Sequence, residues 1–167
     1  MIEFMVIAAP RSGTTWAANW LCTDTTHCIH DPVNKWNYSE LDSLTSQKTL
    51  GVACTGLFLF PDWLNAHPAR KVILHRPFDE IVTDLDNIGL HSPTAEQVAN
   101  LDRIDGYHCE WTELFTEPKP LYEWLLQRPF DAERHLELRQ MHVQPFLPAV
   151  GVDLEVVRRM IEELTST

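Results

Sequence analysis

The sequence predicts an α/β protein, with a central, mostly parallel sheet of about four to five strands and helices on both faces, a three-layer arrangement. Three observations predict it. Strand and helix signals alternate along the chain. The candidate inner strands are apolar throughout, as strands covered on both faces are. A glycine-bearing turn joins the first strand to an amphipathic segment. The 167 residues suit one domain, taken as residues 1–167, with no repeat or Gly/Ser linker to divide them.

Phe4 to Ala9 reads as the first strand, and Pro10 to Gly13 as the turn after it. Trp16, Ala17, Trp20 and Leu21 then recur at helical spacing. Cys28-Ile29-His30 is a short strand stopped by Asp31-Pro32, and residues 33–49 read as a polar loop with one helical turn. Gly51 to Thr55 is another inner strand, and Pro61 begins a short helix with Trp63 and Leu64. Lys71 to His75 is a further strand. Asp79 is placed as the N-cap of a helix with the stripe Ile81, Val82, Leu85 and Ile88. Ser92-Pro93 starts a helix turning Val98, Leu101 and Ile104 inward, and a last strand lies near Tyr107 to Trp111. The remainder is helical. Leu121, Trp124 and Leu125 form one stripe, Asp131 caps a helix to about Met141, and Asp153 caps one with Leu154, Val157, Ile161 and Leu164 inward.

Composition narrows the function classes. The formal net charge is −11, which repels nucleic acid at long range, so no nucleic-acid partner is expected. Apolar runs are strand-length, short of the roughly 20 residues a membrane helix needs, and the N-terminus lacks a basic leader region. The expectation is a cytoplasmic protein with no membrane contact. Cys22, Cys28, Cys54 and Cys109 form no CxxC pair and read as free thiols. Cys22, His27, Cys28 and His30 lie close in sequence, but no second ligand pair follows at zinc-like spacing, so no metal is expected.

The most informative segment is Pro10-Arg11-Ser12-Gly13-Thr14-Thr15-Trp16, between a buried strand and a helix. Free amides and the positive helix end make such a junction an anion site. Gly13 lets the backbone approach a phosphate, and Thr14 and Thr15 add hydroxyls. The triphosphatase pattern G-x-x-x-x-G-K-[ST] would put its first glycine at Ala8 and its lysine at Thr14, and both are missing. An ordinary strand-turn-helix junction is the bland alternative.

Pro10 to Trp16 resembles the 5′-phosphosulfate loop of sulfotransferases that use PAPS (3′-phosphoadenosine 5′-phosphosulfate), commonly P-[KR]-S-G-T-T. A second block, Val72 to Pro77 followed by Asp79 to Thr83, is similar to the family's 3′-phosphate segment, a strand ending in Arg with a hydroxyl residue beyond it. Here Thr83 follows Arg76 by seven positions, one fewer than in the family, and replaces the more usual Ser. Arg76 at a strand end could instead form a surface salt bridge with Asp79 or Glu80. The family's C-terminal G-x-x-G-x-[KR] loop has no counterpart in the sequence. Arg134, Arg139, Arg158 and Arg159 read as solvated helix faces rather than substitutes for it.

The resemblance implies a three-layer P-loop-type fold and sulfuryl transfer from PAPS, with PAP as product and no metal. The acceptor would be a hydroxyl or amine of a small molecule or peptide. It gives Pro10, Arg11, Ser12, Gly13, Thr14, Thr15, Trp16, Arg76 and Thr83 to the cofactor. Arg11 would neutralise charge on the leaving phosphate. Trp16 would stack on adenine or, as plausibly, pack in the core. His30-Asp31-Pro32 is similar to a His-Glu-Pro-like segment, so Asp31, ahead of His30, is the expected general base, although Asp31-Pro32 is also a plain turn signal. His75 reads as a packed strand histidine. The acceptor pocket would draw on residues 33–49 and 89–130, with Trp36, Tyr38, Tyr107 and Trp111 as candidate lining. An atypical P-loop kinase and a non-catalytic nucleotide-binding module remain the competing classes.

Overall fold

Five strands form one parallel sheet in the order β2-β3-β1-β4-β5. The computed structural model describes residues 1–141 and 153–166; the domain expected over residues 1–167 therefore includes positions outside the described residues. The strands are β1 (Phe4–Ala8), β2 (Thr26–His30), β3 (Thr49–Cys54), β4 (Arg70–His75) and β5 (Tyr107–Glu110). The helices are α1 (Thr14–Leu21), α2 (Pro61–Ala66), α3 (Phe78–Asn87), α4 (Ala95–Val98), α5 (Glu113–Thr116), α6 (Pro118–Leu126), α7 (Ala132–Gln140) and α8 (Leu154–Thr165). The expected loop of residues 33–49 carries two 3₁₀ turns, Pro32–Asn34 and Tyr38–Ser43.

Strand alternation divides the interior into two cores. Phe4, Val6 and Ala8 of β1 face α1, α6 and α7, where Trp20, Leu121, Tyr122 and Leu125 are buried. Met5 and Ile7 face the other way, toward Leu57, Leu64, Ile81, Leu101, Val156 and Met160. The sheet is thus covered on both faces, the reason its strands read as apolar runs. No helix among the described residues is long and apolar enough to cross a membrane. All four cysteines are free, three of them buried and Cys22 half-buried.

Several sequence expectations shift on the sheet. Pro77, not Asp79, is the N-cap of α3, and Ile88 is exposed beyond its end. Thr94 caps α4 through a capping box with Gln97, in place of a start at Ser92-Pro93. Trp124 leaves the expected stripe: it is 44 % exposed, and its indole N–H donates to the Lys71 carbonyl at 3.3 Å. On α8 the buried residues are Val156 and Met160, while Leu154, Ile161 and Leu164 face solvent. The stripe on α8 is therefore rotated from the expected one. Arg134 is not solvated: its guanidinium donates to the carbonyls of Trp20 (3.1 Å), Asn19 (2.9 Å) and Cys22 at the C-terminal end of α1. A cation there satisfies carbonyls that have no helical partner. Arg139, Arg158 and Arg159 are exposed, as expected.

Two residues test this packing. A Cβ at Gly51 would lie 2.0–2.3 Å from three ring atoms of Phe4. Gly51→Ala is expected to cost about 1–3 kcal/mol in urea unfolding, and Gly51→Ala/Phe4→Leu less than the sum of the single changes. His135 sits among Trp16, Trp20 and Phe130, and its Nε2–H donates to the Leu114 carbonyl at 2.7 Å. Burial, and secondarily the Arg139 charge, hold its pKa below the ordinary 6.5, against the opposing effect of the Leu114 bond. The folded state therefore favours the neutral ring, and unfolding takes up a proton in acid. Stability should be full above about pH 6.5 and fall as the pH drops through the folded value. His135→Gln, which retains an N–H donor, should flatten that slope in denaturant titrations from neutral to mildly acidic pH.

Candidate functional site

The central position of β1 brings three strand ends together. Its C-terminal end lies between those of β3 and β4, the place where open α/β sheets bind ligands. The chain leaves β1 through the turn at residues 9–13. Gly13 has φ +85°, and a Cβ there would meet Leu114 Cδ1 at 2.9 Å, so the position needs glycine for both conformation and space. Arg11 holds φ +65° with a side chain attached, a conformation costing about 1–3 kcal/mol. Ser12 and Thr14 are buried, and Arg11 and Thr15 are exposed. The first helical bond of α1 runs from Ala17 N–H to Gly13 O at 2.9 Å, so the amides before Ala17 have no partner within the helix. No side chain caps this end, and no acidic residue occupies its first turn.

Arg76 fixes the turn from the side. Its side chain is only 10 % exposed. The guanidinium lies 4.8 Å from the centroid of the Trp111 ring. Nη1 donates to the Arg11 carbonyl at 2.5 Å and to Asp84 Oδ2 at 2.8 Å, and Nε donates to Glu80 Oε2 at 3.0 Å. The strained residue of the loop is thus tied to β4 and α3. The salt-bridge alternative is realised in part, with Glu80 as foreseen and Asp84 in place of Asp79.

His30 and Asp31, at the end of β2, form the opposite wall. His30 Nε2 lies 3.2 Å from the hydroxyls of both Thr14 and Thr15 and 3.3 Å from Asp31 Oδ2. Asp31 is another positive-φ residue, at +44°. Its Oδ1 accepts from the Thr55 N–H at 2.6 Å and the Thr55 hydroxyl at 3.0 Å, which fixes the carboxylate. Strained residues on both sides of one cleft are typical of sites whose geometry is set by function.

These groups border one cavity of about 500 Å³, lined by Pro10, Arg11, Gly13 to Trp16, His30, Asp31, Thr55, Arg76 and Asp84, with Leu85, Ile88, Leu90 and Trp111 as an apolar side. Ser12 is turned inside, and its hydroxyl points back to the Pro10 carbonyl at 3.5 Å. Trp16 is 6 % exposed and packs against Trp20, Phe115 and His135, so most of its ring belongs to the core. Thr83 is apart from this cavity. Its hydroxyl donates to the Asp79 carbonyl at 2.8 Å, and it borders a smaller recess of about 220 Å³ behind Arg76. Of the four aromatics considered for an acceptor pocket, only Trp111 lines the cavity; Tyr38 stacks on Phe60 elsewhere, at a ring separation of 4.0 Å. Residues 33–49 do not line it, and the segment from 89 on contributes Leu90 and Trp111.

Thr55 and Asp84 were missed from sequence. Thr55 directly follows an inner strand, and Glu80 and Asp84 are spaced to meet Arg76 from one face of α3, so both signals were present. A larger cavity of about 820 Å³ at the other end of the sheet is lined by Asp24, Asp131, Glu133 and Glu137. Its Lys48 and Arg134 are spent on main-chain carbonyls, which suits an anion poorly. In the smaller cavity the exposed Arg11 guanidinium has no partner among the described residues, while Arg76 is paired with Asp84 and Asp31 is held by Thr55.

Arg76→Met would leave the Arg11 carbonyl and two carboxylates without their shared donor. A loss of about 1–3 kcal/mol is expected, with faster hydrogen exchange at the Ala17 amide, whose bond to the Gly13 carbonyl closes the turn. Arg76→Lys should restore only part of it, since an ammonium lacks the planar fork. Searched against family models, curated proteins and solved structures, the chain has no match.

Proposed function

We propose that the chain transfers a sulfuryl group from PAPS to a hydroxyl or amine of a small-molecule or peptide acceptor. One observation carries the reading: the loop at residues 10–15 and the Arg76 side chain border a single cavity, and His30 reaches into it between two loop hydroxyls. The loop fits a 5′-phosphosulfate, with unpartnered amides at the start of α1, a free Arg11 and two threonine hydroxyls. PAPS supplies the activated sulfuryl group when bound. The reading places the protein in the cytoplasm and requires no metal.

The roles of the chain's residues follow from their contacts. Main-chain amides of residues 12–15 hold the 5′ end, and Arg11 neutralises charge on the leaving phosphate. His30 is the general base: its Nε2 faces the Thr14 and Thr15 hydroxyls and takes the acceptor proton. Asp31, whose other oxygen is held by Thr55, faces the same Nε2 and stabilises the imidazolium once that nitrogen has taken the proton. Arg76 binds the 3′-phosphate by giving up one of its carboxylate partners, Asp84 or Glu80. Thr83 can assist only from the recess behind Arg76.

A second reading, a nucleotide-binding module without turnover, is favoured by that same pairing of Arg76 with two carboxylates. Thermal shift and transfer assays separate the two. PAP without magnesium is expected to raise the melting temperature. Arg11→Ala should leave PAP affinity within a few-fold and slow transfer by about 100-fold, and His30→Ala by about 10²–10⁴-fold. Asp84→Asn should tighten PAP binding by freeing Arg76. PAP binding with no transfer across a broad acceptor panel would select the second reading. A response to Mg-ATP alone would point to a kinase and reject both.

A further inference from the structure

One wall of the cavity is apolar, and the end of α3 builds it. Gly89 closes the helix in the left-handed conformation, at φ +72°. Its N–H donates to the Asp86 carbonyl at 3.1 Å, and the Leu90 N–H donates to the Leu85 carbonyl at 3.0 Å. This paired closure turns the chain back, so that Leu90 returns beside Leu85. Leu85, Ile88 and Leu90 all border the cavity. Ile88 is 52 % exposed and Leu90 57 %, so two large aliphatic side chains stand open to solvent at its mouth. Apolar surface gathered at the rim of a polar cavity suits an apolar part of a ligand. Asp84 stands at the edge of this wall, one helical turn before Ile88 and on the same face of α3. Of the two carboxylates paired with Arg76, Asp84 borders the cavity, whereas Glu80 borders the recess behind it. A phosphate that reaches Arg76 from the cavity therefore displaces Asp84 and leaves its carboxylate without a cation, beside the apolar wall.

We propose that the acceptor is a small apolar alcohol with an ammonium group at its far end, and that Asp84, released from Arg76, is the counter-ion of that ammonium. The inference rests on the function proposed above. Three observations favour such an acceptor. The net charge of −11 draws cations and repels anions at long range. With Arg11 and Arg76 taken up by the phosphates of the cofactor, the charges left in the cavity are the carboxylates of Asp31 and Asp84. The wall beside Asp84 is aliphatic, which suits a hydrocarbon chain better than a sugar. The two ends of the acceptor find their partners on opposite walls. His30 ends β2 and Arg76 follows β4, three strand positions away, which is about 14 Å at the usual strand spacing. Side chains reach in from both walls, and an extended chain of several carbons bridges the remainder.

The transfer step balances on this assignment. His30 Nε2 takes the hydroxyl proton as the acceptor oxygen bonds to sulfur. The bond from sulfur to the 5′-phosphate oxygen breaks, and its electron pair stays with the phosphate. The acceptor enters with one positive charge and leaves as a zwitterion with no net charge. Its attraction to the acidic cavity therefore weakens once transfer is complete.

The test is an amide NMR titration of the full chain with aminohexanol, hexanol and hydroxyhexanoate, straight-chain alcohols that differ only in the group on the far carbon. With PAP present, aminohexanol should shift the signals of residues 84–90 and bind about tenfold more tightly than hexanol. Hydroxyhexanoate should bind most weakly. Without PAP the preference for the ammonium should shrink, because Asp84 is then paired with Arg76. Asp84→Asn should abolish the preference while tightening PAP, so one substitution moves the two ligands in opposite directions. Ile88→Ser and Leu90→Ser, at exposed positions that leave the fold intact, should weaken aminohexanol and hexanol alike by about fivefold. With PAPS in place of PAP, sulfate esters should form in the same order of preference. Equal binding of aminohexanol and hexanol to the PAP complex, a preference that survives Asp84→Asn or is as large without PAP, or binding with no ester formed would overturn this proposal and leave the PAP site standing. Failure of PAP itself to bind would reject the proposed function, and this inference with it.

Discussion

The Arg76 guanidinium ties together the turn after β1, the end of β4 and α3. It projects from the end of β4, rests on Trp111, pairs with Glu80 and Asp84 of α3, and donates to the carbonyl of Arg11. The planar fork of arginine presents several N–H groups in fixed directions, so one side chain can serve three acceptors at once. The left-handed backbone at Arg11 stays in place because its carbonyl has this fixed donor. The same contacts leave the Arg11 side chain outside the network, exposed beside the cavity.

Electrostatics sets the demands on a ligand. The protein is strongly acidic, and its cavity sets two aspartates against two arginines. An anion gains little there from long-range attraction. Its favourable contacts are short-range: the amides at the start of α1 and the Arg11 guanidinium, without partners among the described residues, and the hydroxyls of Thr14 and Thr15. On the proposed reading, affinity for a second phosphate would depend on exchange at Arg76, where a phosphate would compete with carboxylates already at hydrogen-bonding distance.

The opposite wall follows a similar logic on a smaller scale. Thr55, at the end of β3, holds one oxygen of Asp31, and the other oxygen lies beside His30. Neighbouring parallel strands therefore supply, in turn, an anchor, a carboxylate and an imidazole. The sheet order puts this wall and the Arg76 wall on either side of β1, with the loop between them.

The sequence by itself determined the layered α/β architecture, each strand to within a few residues, and the loop at residues 10–15. These are written in local signals: apolar runs for strands buried on both faces, a glycine where φ is positive, and hydroxyls at a helix start. It also marked Arg76 and the His30-Asp31 pair. Tertiary structure alone decided how these side chains are used. The rotation of α8, the exposure of Ile88 and Trp124, and the grip of Arg134 on the end of α1 depend on which surface each element meets. Likewise, Asp84 reaches Arg76, Thr55 reaches Asp31, Thr83 turns into a separate recess and Trp16 sinks into the core only when distant strands align. Spacing along one chain records which face of its own helix or strand a residue occupies; it carries no record of the partner that face will find.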